Sequence, residues 1–127
     1  ALDLYVHTLA QKNFIKSKVG KWVNSNAYKY GFIIRYPFLG KSKTGFNYEP
    51  WHIRYVGLPH SNIIYNNRLT LEEYYHLYEK DKFYKYGEYI ISYQSSHNNS
   101  LDIPKEYKTI EISKDNRGGY IITSKIK

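Results

Sequence analysis

The stretch Glu49-Pro50-Trp51-His52-Ile53-Arg54-Tyr55-Val56-Gly57 sets the frame for the whole chain. It carries a carboxylate three residues before a histidine and then runs into an apolar, β-prone segment. A period of two predicts a strand with His52, Arg54 and Val56 on one face and Ile53 and Tyr55 on the other. Pro50 removes a backbone donor, so Glu49 falls on the loop leading into the strand and is aimed independently of it. A carboxylate and an imidazole converging on one point suit a catalytic zinc: the imidazole ligates, and the carboxylate takes a proton from the activated water. Glu-x-x-His also describes an edge strand with an exposed Glu and a hydrogen-bonded His, and the spacing alone does not separate the two.

Working outward, Phe32 to Tyr36 is β-branched and aromatic, and Pro37 stops it. Paired antiparallel with 51–56, it brings Arg35 towards the Glu49–His52 region. Phe38 to Tyr48 carries Gly40, Gly45 and polar residues and reads as a loop. Thr44 and Tyr48 stand just before Glu49, so the loop either lines a site or merely connects two strands. Ser17 to Tyr30 reads as a helix with Ser17 as N-cap and Gly31 as the left-handed stop; Trp22 is expected in the core. Gly20 weakens its first turn. Ala1 to Val6 reads as a strand whose single charge, Asp3, is a strand-end cap or a ligand. His7, His60 and His76 are expected to serve packing or to lie exposed.

Beyond Gly57-Leu58-Pro59, His60–Asn67 is expected to form a short helical turn. Thr70-Leu71-Glu72-Glu73 is a capping-box pattern opening a helix to about Lys80. From Phe83 the character turns to strands: 83–93, 108–112 and 120–125. Gln94–Ser100 is read as a polar loop, and Asp115–Gly119 as a turn. The expected division is 1–82 and 83–127, the second part a small β appendage whose core is too small to stand alone.

The longer context resembles a known family. Tyr30-Gly31-Phe32-Ile33-Ile34-Arg35-Tyr36-Pro37, Thr44-Gly45 and the Glu49–Gly57 block together are similar to the VanY-type D-alanyl-D-alanine carboxypeptidases and the bifunctional VanXY enzymes. Ala1-Leu2-Asp3 matches the last three positions of that family's metal motif, Ser-x-His-x-x-Gly-x-Ala-x-Asp. The resemblance implies an α+β metallopeptidase fold with a small antiparallel sheet and flanking helices. It further implies Zn2+ as cofactor, Asp3 and His52 as two of its ligands, Glu49 as catalytic base, and a peptidoglycan peptide ending in D-Ala-D-Ala as substrate. Arg35, Thr44, Tyr48 and Trp51 are the expected pocket residues. The family's first zinc histidine would stand upstream of Ala1, so the chain reads as the C-terminal part of a larger enzyme, inactive by itself. The function classes implied are carboxypeptidase and antibiotic resistance.

Composition bounds the alternatives. The 127 residues include no cysteine, which excludes disulfides and thiolate-bound zinc. Sixteen tyrosines and no methionine fit a chain that starts internally. A formal net charge of +8 suits a polyanionic partner. With lysines dispersed and no nucleic-acid motif, an anionic wall polymer is the expectation and nucleic acid is not. No apolar run is long enough to span a membrane. The cell envelope or the extracellular space is the expected location, with the cytoplasm as alternative. A reading from another class is a non-catalytic, basic wall-binding module, which zinc affinity would separate from the enzyme.

Overall fold

The computed structural model describes all residues except Thr8, Ser96–Asn99 and Asn116. The expected Gln94–Ser100 loop and Asp115–Gly119 turn therefore lie partly outside the described residues. The chain divides into two compact units, Ala1–Tyr74 and Tyr75–Lys127. Secondary structure is α+β, with a small antiparallel sheet in each unit.

The first unit is built on three strands in the order β1-β3-β2: β1 is Leu2–Asp3, β2 Phe32–Ile34 and β3 His52–Tyr55. Both pairings are antiparallel, with Asp3 opposite His52, and Ile33 opposite Arg54. The expected strands at 1–6 and 32–36 are shorter, because the regular ladder with β3 closes only over these residues. One face is covered by a 3-10 turn, Gln11–Lys16, and by helix α1, Lys18–Asn26. There Phe14, Val23 and Ile53 form the core, with Leu4, Val6, Ala27, Phe32, Ile34 and Trp51 packed on it. On the other face Ile33 is buried, and helix α3, His60–Asn66, lies against β2.

Ser17 caps α1 as expected, accepting from Gly20 N at 2.9 Å, and its hydroxyl donates to Phe14 O at 2.6 Å. After Asn26 the chain tightens into a 3-10 turn, Ala27–Tyr30, ended by Gly31 at φ +88°. One expectation about α1 is corrected, and Gly20 is found to have a second role. Trp22 is 53% exposed and is not core. Gly20 is there for close approach: a Cβ would stand 1.9 Å from Phe14 O. The loop 38–48 contains one helical turn, α2, Lys41–Thr44.

Thr70 and Glu73 form the expected capping box, each side chain bonded to the other's backbone N–H at 3.1 and 3.0 Å. Helix α4, Leu71–His76, stops short of the expected Lys80. The chain is captured instead by tertiary contacts: Tyr78 buries edge-on against Tyr84, and Asp81 N donates to Tyr93 O.

The second unit is a four-stranded antiparallel sheet in the order β4-β5-β7-β6. Its strands are β4 Phe83–Tyr86, β5 Tyr89–Gln94, β6 Tyr107–Lys114 and β7 Tyr120–Ile126. The expected single strand 83–93 is a hairpin folded at Gly87-Glu88. Gln94 belongs to β5 and is buried; its side chain accepts from Asp102 N and donates to Asp102 O, both at 2.8 Å.

Candidate active site

Glu49-Pro50-Trp51-His52 is a turn closed by a hydrogen bond from His52 N to Glu49 O at 3.0 Å. Proline suits the second position of such a turn, because its φ is already set and no donor is required there. The turn holds the Cα atoms of Glu49 and His52 within roughly 7 Å of each other. Glu49 N also donates to Tyr36 O at 2.9 Å, which ties the loop to the end of β2. His52 is fixed on both sides: Leu4 N donates to Trp51 O at 2.8 Å and Arg35 N to His52 O at 2.9 Å.

Asp3 and His52, 49 positions apart in the chain, are register partners across β1 and β3 and so project from one face of the sheet. Asp3 Oδ1 lies 2.8 Å from His52 Nδ1. Two donors each about 2 Å from one zinc sit roughly 3.3 Å apart in tetrahedral geometry, so a small side-chain rotation accommodates a metal here. The donors, one carboxylate oxygen and one imidazole nitrogen, suit zinc. Among the described residues no group of three or more His, Cys, Asp or Glu that could hold a metal ion is present, so Asp3 and His52 do not by themselves make a complete metal site. The same contact also works as a plain imidazole–carboxylate hydrogen bond.

The remaining expected site residues go to different places. Trp51 lies on the opposite face and packs on the Phe14–Val23–Ile53 core. Arg35 donates through both terminal nitrogens to Glu72, at 2.9 and 2.8 Å. Partial burial pushes the Glu72 carboxyl up, but the Arg35 hydrogen bonds and the charges of Arg35 and Arg54 outweigh it, and the net shift is downward. The Thr44 hydroxyl accepts from Phe46 N at 3.1 Å. The Tyr48 hydroxyl donates to Asn24 Oδ1 at 3.3 Å, and burial raises its pKa. Tyr48 lines a cleft of about 840 Å³ along the free edge of β2, where Phe38, Leu39 and Tyr65 also stand; neither Asp3 nor His52 borders it.

Sequence reasoning missed the wall beside His52. The Tyr36 ring lies 4.9 Å from the His52 ring and stacks on Phe46 at 4.5 Å, while Arg35 caps Tyr36 at 5.0 Å. Strict alternation would have sent Tyr36 to the core face with Ile34. The strand ends at Ile34 and the chain bends, a change that Pro37 only partly announces. His60, expected to pack, is buried with Nδ1 2.5 Å from the Tyr74 hydroxyl.

Residues 1–58 match the family profile described as VanY, D-alanyl-D-alanine carboxypeptidase. A D-alanyl-D-alanine carboxypeptidase of Enterococcus faecium is 44% identical over 111 residues, covering 82% of this chain and 36% of that protein. The chain therefore spans about a third of that relative's length. The vancomycin-resistance D,D-dipeptidase VanXYg, solved with a D-Ala-D-Ala phosphinate analogue, superposes with a TM-score of 0.71 at 30% identity, over 88% of this chain and 48% of its own. The LD-carboxypeptidase LdcB is 54% identical over 51% of this chain and 30% of its own, with a TM-score of 0.50.

Proposed function

We propose that this VanY-like chain supplies two zinc ligands and the catalytic base of a zinc-dependent D,D-carboxypeptidase that removes terminal D-alanine from peptidoglycan stem peptides. The observation that carries the reading is the Asp3–His52 pair, 2.8 Å apart, with Glu49 at the other end of the Glu49–His52 turn. Asp3 and His52 hold the metal, and a third protein ligand comes from outside these residues. Bound zinc supplies Lewis-acid chemistry, acidifying water and polarising the scissile carbonyl. Glu49 takes the proton of the attacking water and returns it to the departing D-alanine nitrogen. Tyr36, just before Pro37, and Phe46, on the loop that leads to Glu49, stack on each other, and Tyr36 lies beside His52 as an apolar wall of the kind that limits water at a metal ligand. The Arg35–Glu72 pair braces this wall from behind and does not touch substrate.

The likeness to LdcB at 54% identity favours a second reading, in which the same machinery cleaves an L,D bond. One assay separates the two. The longer protein that carries these residues is loaded with zinc and offered a tetrapeptide ending L-Lys-D-Ala and a pentapeptide ending D-Ala-D-Ala. Chelator-sensitive release of D-alanine from the pentapeptide is the expected result. Release from the tetrapeptide alone assigns the L,D activity, and release from neither overturns the hydrolase reading.

A further inference from the structure

The lysines are dispersed along the chain, but the acidic residues that would balance them are not. Residues 4–48 contain eight lysines and arginines and no aspartate or glutamate. Of these, Arg35 is paired with Glu72. The lysines are all exposed, and among the described residues none of them makes an ion pair. Uncompensated cations over so long a stretch do not help the fold, since they repel one another.

Helix α1 presents the densest part of this surface. On α1, Lys18 and Trp22 stand four residues apart, about one turn, and both are exposed, while Val23 is buried; Lys29 and Tyr30, also exposed, follow in the 3-10 turn Ala27–Tyr30 that continues the helix. Lys21 flanks them. Trp22 is 53% exposed and Tyr30 63%. Their rings lie 5.9 Å apart at 33°, a shallow open pair. Asn26 donates to Trp22 O at 3.0 Å and accepts from Lys29 Nζ at 3.0 Å, so a polar bridge runs along the same side. Leaving two large aromatic faces in water costs roughly 25 cal/mol per Å2 of apolar surface, and nothing in this unit's core requires them there. Large rings set among exposed ammonium groups that no carboxylate neutralises recognise flat, weakly polar surfaces carrying negative charge.

We propose that the exposed side of α1 and of the 3-10 turn Ala27–Tyr30 after it is a docking surface for an anionic, phosphate-bearing glycan. Trp22 and Tyr30 take sugar faces, and Lys18, Lys21 and Lys29 take the phosphates. The choice of a glycan over a nucleic acid rests on the peptidoglycan reading above; the charged aromatic surface does not. Its test needs neither metal nor turnover, so its failure leaves the hydrolase reading standing.

The experiment measures binding of the 127-residue chain to a phosphomannan oligosaccharide. Inorganic polyphosphate, neutral mannan, a single-stranded oligonucleotide of equal charge and phosphatidylglycerol vesicles are the comparisons. The phosphomannan should bind best and the neutral mannan not at all. Trp22→Ala should weaken phosphomannan binding about tenfold while leaving polyphosphate unchanged, because stacking contributes roughly 1–3 kcal/mol where a planar face is present. The triple change Lys18→Gln, Lys21→Gln, Lys29→Gln should weaken both strongly, and the residual binding should show a log–log salt slope lower by roughly two. The matched change Lys80→Gln, Lys105→Gln, Lys114→Gln should alter neither. All substitutions are on exposed positions, and circular dichroism checks that the fold survives. Tighter binding of the oligonucleotide or the vesicles overturns the proposal. So does an unaffected Trp22→Ala, an equal loss in the second-unit triple, or no phosphomannan binding by the parent chain.

Discussion

Glu49 and His52 stand three positions apart and are proposed for different roles, which their substitutions separate. In the longer protein, Glu49→Gln keeps size and removes the base, so D-alanine release should drop by about two to four orders of magnitude with zinc content unchanged. His52→Ala should lose metal and activity together. Zinc lost from Glu49→Gln would make Glu49 a ligand, and zinc kept by His52→Ala would remove His52 from the site. Gly20 gives a second residue-scale prediction, in which two effects oppose. Helix propensity alone makes Gly20→Ala favourable by about 1 kcal/mol. The added Cβ would meet Phe14 O at 1.9 Å, an overlap that backbone must relieve. Such overpacking costs about 1–3 kcal/mol, so the net should be destabilising, read as a lower denaturation midpoint. A raised midpoint would mean that the 3-10 turn yields freely.

At the scale of elements, caps were the most legible features. Ser17 and the Thr70/Glu73 box act through side chains a few residues away, so local sequence contains the whole interaction. Thr70→Ala should destabilise by about 1 kcal/mol and Thr70→Ser by much less, measured by urea unfolding; equal losses would show that the methyl packing, not the cap, matters. Strand extents were less legible, since a strand ends where its partner ends. Phe83–Tyr93 reads as one β-prone run, and only the pairing of Phe83 with Ser92 shows a hairpin. Trp22 misled for a related reason: a large aromatic on a helix with an apolar stripe is expected inward, yet Val23 and Ala27 already fill that side.

For the whole molecule, pH dependence is carried in part by His60. Burial lowers its pKa from 6.5 to about 4. The unfolded chain therefore binds more protons between pH 6.5 and 4, so stability is full above the unfolded value and falls as pH drops through that window. The loss should reach about 3 kcal/mol at its acid end. Unfolding free energy measured at pH 7 and 4.5 should show the drop in the parent and much less of it in His60→Asn; an identical slope in both assigns the effect elsewhere. Activity is a second whole-molecule matter. With Asp3 and His52 as its two proposed zinc donors and no group of three found among the described residues, the 127-residue chain should release D-alanine far more slowly than the longer protein in a side-by-side assay. Equal rates would mean that two ligands and water suffice.

The sequence by itself determined the α+β class, the caps, the antiparallel partnership of 32–34 with 52–55, and the likeness to D-alanyl-D-alanine carboxypeptidases. Each of these is written in spacing, side-chain chemistry or a contiguous motif. The resemblance implied that Asp3 and His52 meet, and they do, at 2.8 Å; the tertiary structure decided the means, a strand register across 49 positions that depends on which backbone groups close the ladder. It alone turned Arg35 to Glu72, Trp51 to the core and Tyr36 to the imidazole. A side chain's destination depends on the partners that folding brings within reach, and local sequence does not contain them.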